Sequence, residues 1–184
     1  MINWQIVLSS VVLSSIVSSI ATYVITTFSQ KQSFKNDYYK LVIDKRMDAY
    51  QYIDSQLRIM KMAVLDDDGR LYHSMFYGDQ EKVLINQKDF IMARTNGIWL
   101  SADIENAMSE MNKVLYEVNG EITDDVNNNI LVAKQYYTQI ASAREKLEIQ
   151  LKKDLLTLYD VPGFLNHKKK TNTIEYRVKS TASI

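Results

Sequence analysis

Two arginines stand where apolar residues are expected, and they are the first candidates for chemistry. Arg46 and Arg144 each take one place in an otherwise apolar helical repeat. A guanidinium buried there must be paired, because removing one partner of a buried charge costs several kcal/mol. Asp44, Asp48, Glu145 and Glu148 lie within a turn of the two arginines, and partners across the bundle are candidates as well. The expected role is a register-fixing ion pair, or a side chain that snorkels from the edge of the seam. The sharper alternative is an anion site of the phosphate type. It requires both guanidinium groups to face one water-accessible cavity.

Other constellations lead nowhere catalytic. Asp66-Asp67-Asp68 before Gly69 invites a calcium reading, but aligning Gly69 with the sixth place of a calcium loop puts Val64 first and Met75 last. Both of those places need carboxylates, so a solvated loop that ends a helix is expected instead. His73 and His167 are the only two histidines and lie in different segments, which supports neither a metal pair nor a proton relay. The absence of cysteine excludes disulfides, thiol catalysis and cysteine-ligated metals. No glycine loop for phosphate and no serine nucleophile elbow is present. The chain therefore reads as a non-enzyme without cofactor or metal.

The hydroxyl residues are more informative. None of the 22 basic and 22 acidic side chains falls in residues 1–30. Residues 4–28 are 25 positions, 15 of them apolar, with Gln5, six serines and three threonines as the polar minority. Such a helix is roughly 37 Å long and can cross a hydrocarbon core of about 30 Å with some tilt. Trp4, Tyr23 and Phe28 are placed as interfacial anchors. No Lys or Arg precedes the run, which is also longer than a usual signal core, so a retained anchor is expected rather than a cleaved leader. On a helical wheel Ser10, Ser14, Ser15, Ser18, Ser19 and Thr22 share one half, and Ile6, Leu13, Ile16, Val17 and Ile20 share the other. Ser10, Ser14 and Ser18 also form a small-xxx-small ladder, the pattern that lets membrane helices approach closely. This packing face predicts self-association or docking on another membrane protein. A hydroxyl-lined pore is the alternative, and hydroxyls that satisfy only their own helix are the plain one.

The elements that must carry these residues are helical. One proline and five glycines in 184 residues disfavour a many-turned β fold. Tyr39, Ile43, Arg46, Tyr50, Ile53, Leu57, Met60 and Val64 follow alternating steps of four and three, predicting a helix to about residue 65. A loop follows to Tyr77, then a helix capped by Asp79 running to about Arg94, with Val83, Leu84, Phe90 and Ile91 inward. Ser101 caps the next helix, whose face is Leu100, Ile104, Met108, Met111, Leu115 and Val118. The last begins after Thr123 or Asp124 and ends before Pro162-Gly163. Its seam is Ile130, Ala133, Tyr137, Ile140, Arg144, Leu147, Leu151, Leu155 and Leu158. No segment alternates long enough to predict a strand.

The expected fold class is all-α: an N-terminal transmembrane helix followed by an antiparallel bundle of two long and two shorter helices. The expected organisation is a membrane anchor over residues 1–30, a cytoplasmic bundle over 31–165 and a basic, flexible tail over 166–184. Lys31, Lys35 and Lys40 follow the apolar run closely, which places the N-terminus outside and the bundle in the cytoplasm. The tail has net charge +4, and Lys168, Lys169 and Lys170 are placed to contact an anionic leaflet. Membrane lipid and either a second copy or another membrane protein are the expected partners. Zero net charge argues against nucleic acid.

Lys45-Arg46-Met47-Asp48-Ala49-Tyr50, shortly after one membrane helix, resembles a Lys-Arg-x-x-Ala-Tyr box of small uncharacterised bacterial single-pass membrane-anchored helical proteins. The Ile98-Trp99-Leu100-Ser101 lead into an acidic helix start is similar to theirs as well. The resemblance implies a bacterial inner membrane and a place among phage-defence or stress components, without catalytic residues to carry over. The expected function is a membrane-anchored scaffold, sensor or accessory subunit. The alternative is a membrane-permeabilising effector.

Overall fold

In a computed structural model, described for residues 4–168 with side chains from residue 12 to 166, the chain is all-α. Its helices are α1 Trp4–Lys61, α2 Gln80–Asn86, α3 Lys88–Thr95, α4 Ala102–Asn119, α5 Val126–Leu156 and α6 Val161–Lys168. Two short strands, β1 Ala63–Leu65 and β2 Leu71–His73, interrupt the order after α1. Two compact units divide the chain between Val42 and Ile43.

Among its described residues the first unit is helix alone. With neither proline nor glycine before Gly69, nothing breaks α1. Its side chains from Val12 to Leu41 are exposed, apart from Thr27 and Tyr39, which are partly covered. Among the described residues α1 is the one helix long and apolar enough to cross a membrane, with a mean hydropathy of 1.5 over its apolar window.

The second unit holds the core. Ala49, Ile53, Leu57 and Met60 of α1 pack with Ile104, Met111 and Leu115 of α4 and with Ala133, Ile140 and Leu147 of α5. The apolar face expected for α4 is buried throughout, and Asp79 and Ser101 cap their helices as expected, accepting from the backbone N–H of Lys82 and Ile104. Antiparallel order shows in the cross-links. Tyr136 of α5 donates to Glu121 just after α4 at 2.6 Å, and Lys146 meets Glu110 at 3.0 Å. Against α1, Tyr50 pairs with Asp154 and Lys61 with Glu148, again in opposite sense.

Three expectations about the elements need correction. Helix α1 stops at Lys61, not near residue 65, and Val64 lies in a strand. β1 and β2 form an antiparallel hairpin in the register Ala63↔His73, Val64↔Tyr72 and Leu65↔Leu71. The acidic run makes the turn: Asp66 and Asp68 side chains accept from the N–H groups of Asp67 and Arg70, and Gly69 takes the left-handed φ of 77°. Short polar side chains that bond nearby backbone in this way compete with a helix ladder. Three-residue strands are too short to register as alternation.

The helix expected over 79–94 is two helices. Gln87 breaks it with φ −95° and ψ 1°, and its buried amide pairs reciprocally with that of Asn119, both bonds 3.0 Å. Leu84 and Ile91, expected inward, are exposed as a result. Beyond α5 a further helix that the sequence reading did not expect, α6, spans Val161–Lys168. Pro162 instead lies in the first turn of α6, where its missing N–H costs nothing, and Asp160 accepts from Gly163 N–H at 3.0 Å to cap that turn.

Candidate functional site

Arg46 is the most informative side chain in the second unit. It is fully buried on α1, and none of the four expected carboxylates pairs with it in a hydrogen bond. Its Nη1 donates to the Leu158 carbonyl at 3.0 Å and its Nη2 to the Tyr50 hydroxyl at 2.8 Å. Tyr50 donates onward to Asp154 Oδ2 at 3.0 Å, and Gln150 donates to the other carboxylate oxygen at 3.2 Å. The guanidinium also sits 4.2 Å from the centre of the Phe164 ring. The charge is thus stabilised by a hydroxyl, a carbonyl dipole and a ring face, while its Nε is left without a partner. Burial, followed by the Asp154 charge, raises the Tyr50 pKa well above its usual range, so the phenol stays a donor. Because Arg46 reaches Leu158 and Phe164, it clasps the end of α5 and the start of α6 to α1.

Arg144 does not share this site. It lies about 15 Å before Asp154 along α5, ten residues earlier at the helical rise. Its charge acts on His73 instead. The anion site that needed both arginines is therefore not assembled.

Around His73 a second polar group is buried. The imidazole stacks on Tyr137 with ring centres 4.6 Å apart, and its Nδ1 has no hydrogen-bond partner. Burial is the main cause that lowers its pKa, and the Arg144 charge adds to it. The Gln56 side chain is fully buried with neither its nitrogen nor its oxygen bonded. Asn129 contrasts with it. Its amide donates to the carbonyls of Gly78 and Thr123, both at 2.7 Å, and accepts from Thr123 N–H at 2.8 Å. That satisfied amide staples two loops to α5.

The acidic turn already holds a cation, the ammonium of Lys134. This side chain is only 4% exposed and bonds both Asp66 and Asp68. Hydrogen bonds from Lys134 hold both carboxyl groups below their ordinary range. Among the described residues no three His, Cys, Asp or Glu side chains are grouped to hold a metal.

In the first unit the expected packing face is exposed along one side of α1: Ser14, Ser15, Ser18, Ser19 and Thr22. Ser15 donates to the Val12 carbonyl at 2.9 Å and Ser19 to the Ser15 carbonyl at 2.7 Å, so these two hydroxyls offer a partner only their lone pairs. The Ser10 side chain lies outside the described residues, as does that of Lys168, whose backbone belongs to α6. Lys169 and Lys170 also lie outside the described residues.

Periodicity pointed to Arg46, Tyr50 and Arg144, but it missed Asp154, Gln56 and Asn129 as a polar interior. Asp154 directly follows Lys152 and Lys153, a run that reads as solvated surface. No protein-family model, curated protein or solved structure matches the chain.

Proposed function

We propose that the chain is a membrane-anchored interaction protein: α1 crosses the bacterial inner membrane once, N-terminus outside, and the second unit is a cytoplasmic scaffold or sensor head without catalytic activity. The observation that carries this reading is the uncovered apolar face of α1. Nine large side chains between Val12 and Phe28 are 51–72% exposed. Covering them is worth on the order of 14 to 27 kcal/mol at 1.5–3 kcal/mol each, which water cannot supply. Lipid supplies that cover, and the charge-free run matches a bilayer in length.

Self-association, or packing on another membrane protein, rests on the exposed hydroxyl side of the same helix. Small residues admit a second helix at close range, and each interhelical hydroxyl bond adds about 0.6 to 2 kcal/mol. The test is the mass of the full chain in mild detergent beside a variant that starts at Lys31. A defined oligomer for the full chain and a monomer for the variant is the expected result. Two monomers would remove the self-association. Replacing Ser14→Leu and Ser18→Leu together should also shift the full chain towards monomer.

The same exposed hydroxyl stripe supports a second reading, an effector whose assembled helices line a pore. Ion flux across reconstituted liposomes separates the two. Flux that disappears with Ser14→Leu and Ser18→Leu would favour the pore.

A further inference from the structure

Past the charge-free run, α1 keeps an apolar stripe in the open. Phe34, Tyr38 and Leu41 are 75%, 42% and 52% exposed and stand four and three positions apart. Traced backwards in the same alternation, the stripe passes Lys31 and Thr27 and continues through Val24, Ile20, Val17 and Leu13. Nine positions thus keep a heptad spacing over four repeats of one unbroken helix, and seven of them are apolar. A seam sustained for that length is the pattern of a coiled coil. It ends at Leu41. The next steps fall on Lys45 and Asp48, both exposed, whereas the buried Val42, Arg46, Ala49 and Ile53 follow a register one residue later. The chain's own core therefore uses the second seam and leaves the first uncovered. Polar neighbours of the stripe are engaged elsewhere: Gln32 donates to Asn36 at 3.3 Å, and the Lys35 ammonium sits 5.4 Å from the centre of the Tyr39 ring.

We infer that this stripe is a parallel coiled-coil seam whose occupant is a second copy of this chain, each residue meeting its own counterpart across a two-fold axis. The inference rests on the membrane reading of α1. Lipid covers the stripe as far as Val24, but Phe34 lies about 9 Å beyond the end of the apolar run at Phe28, in water. The occupant needed there is a helix with the same 3.5-residue period, and the chain's own α1 supplies one. Anchors in one membrane set two copies parallel and level, the arrangement in which heptad positions match themselves. They also raise the local concentration, which a contact of little more than one heptad in water requires. In that arrangement Gln30 of one copy flanks the seam opposite Lys35 of the other, so like charges do not face each other there. Lys31 is the polar position that fixes register at a cost in stability, and its ammonium reaches the headgroup level by snorkelling. Ser14, Ser18 and Thr22 lie on the opposite side of the helix, so the hydroxyl face stays open to a different neighbour.

The chain has no cysteine, so oxidative cross-linking of single-cysteine variants reads the contact directly. The purified full chain is reconstituted in vesicles at high lipid excess with Phe34→Cys, Tyr38→Cys or Leu41→Cys on the stripe, or with Ser33→Cys or Asn36→Cys on the far side. Equivalent stripe positions come within disulfide reach in a parallel seam, and far-side positions do not. The expected result is disulfide-linked dimer at 34, 38 and 41, and about five-fold less or lower at 33 and 36. Adding Tyr38→Glu and Leu41→Glu to the Phe34→Cys chain should lower its cross-linking about ten-fold, because two buried contacts per copy are lost. Adding Ser14→Leu and Ser18→Leu should leave it unchanged. Equal cross-linking at all five positions, more at 33 and 36, or none at any overturns the inference, the last by leaving the stripe to a different protein. Loss of the link at 34 with the two serine changes overturns it too, by placing the contact on the hydroxyl side. Flotation of the same samples after alkaline wash separates the readings. A chain that floats without stripe-specific cross-linking loses the pairing alone, whereas one that does not float loses the anchor as well.

Discussion

Arg46 and Asp154 are joined through a single hydroxyl, that of Tyr50, which accepts from the guanidinium at 2.8 Å and donates to the carboxylate at 3.0 Å. Two charged groups from the two longest helices are thereby held in register without direct pairing. Such an arrangement depends on the bridging atom, because both ends stay buried when it is removed.

Tyr50→Phe is therefore expected to cost about 1–3 kcal/mol, the penalty of orphaned buried groups rather than of one exchanged hydrogen bond. Urea unfolding at neutral pH measures it. A loss below about 0.5 kcal/mol would show that the bridge carries no weight.

Gln56 predicts the opposite sign. Its amide is buried with both polar atoms unbonded, so Gln56→Met keeps the volume and removes the desolvation penalty. Stability should rise by about 1 kcal/mol in the same urea assay. A fall would mean that the amide has a partner in solution.

His73 should make stability depend on pH near neutrality. Burial lowers its folded pKa below the ordinary 6.5, so the unfolded chain takes up a proton first as pH falls. Its contribution is complete above that value and shrinks as pH drops through it towards the folded pKa. His73→Phe keeps a ring against Tyr137 and removes the titration. The melting temperature of the variant should fall less than that of the parent between pH 7 and 5. Parallel profiles would refute this.

Acid sensitivity at lower pH has another source. Hydrogen bonds from Lys61 and Lys152 hold the Glu148 carboxyl down to about 2. Because the folded value is depressed, the stabilisation is present above the ordinary 4.5 and is lost as pH falls towards 2. Glu148→Gln should flatten that part of the acid profile by roughly 1 kcal/mol or less, the usual size for partly exposed pairs. Thermal unfolding from pH 5 to 2 reads the difference, and an unchanged slope would show that the two lysines do not act through Glu148.

Several elements were legible because their signals are local. The apolar face of α4, the caps at Asp79 and Ser101, and the charge-free run that becomes the exposed part of α1 each depend on residues a few positions apart. Helical period, capping chemistry and hydropathy act over one or two turns, so reading the chain is enough to find them. The stripe of Ser14, Ser15, Ser18, Ser19 and Thr22 follows from the same arithmetic.

What the amino-acid order alone determined is thus an all-α chain, its apolar helix and two seams interrupted by arginine. Tertiary structure decided which partners those seams meet. Arg46 bonds Leu158 across 112 positions, Asn129 bonds Gly78 across 51, and Gln87 pairs with Asn119 across 32. The break at Gln87 depends on such a distant pairing, as does the hairpin that Lys134 ties to α5. A side chain's propensity is set by its neighbours in sequence, but a buried polar atom is satisfied by whatever group packing brings within about 3 Å.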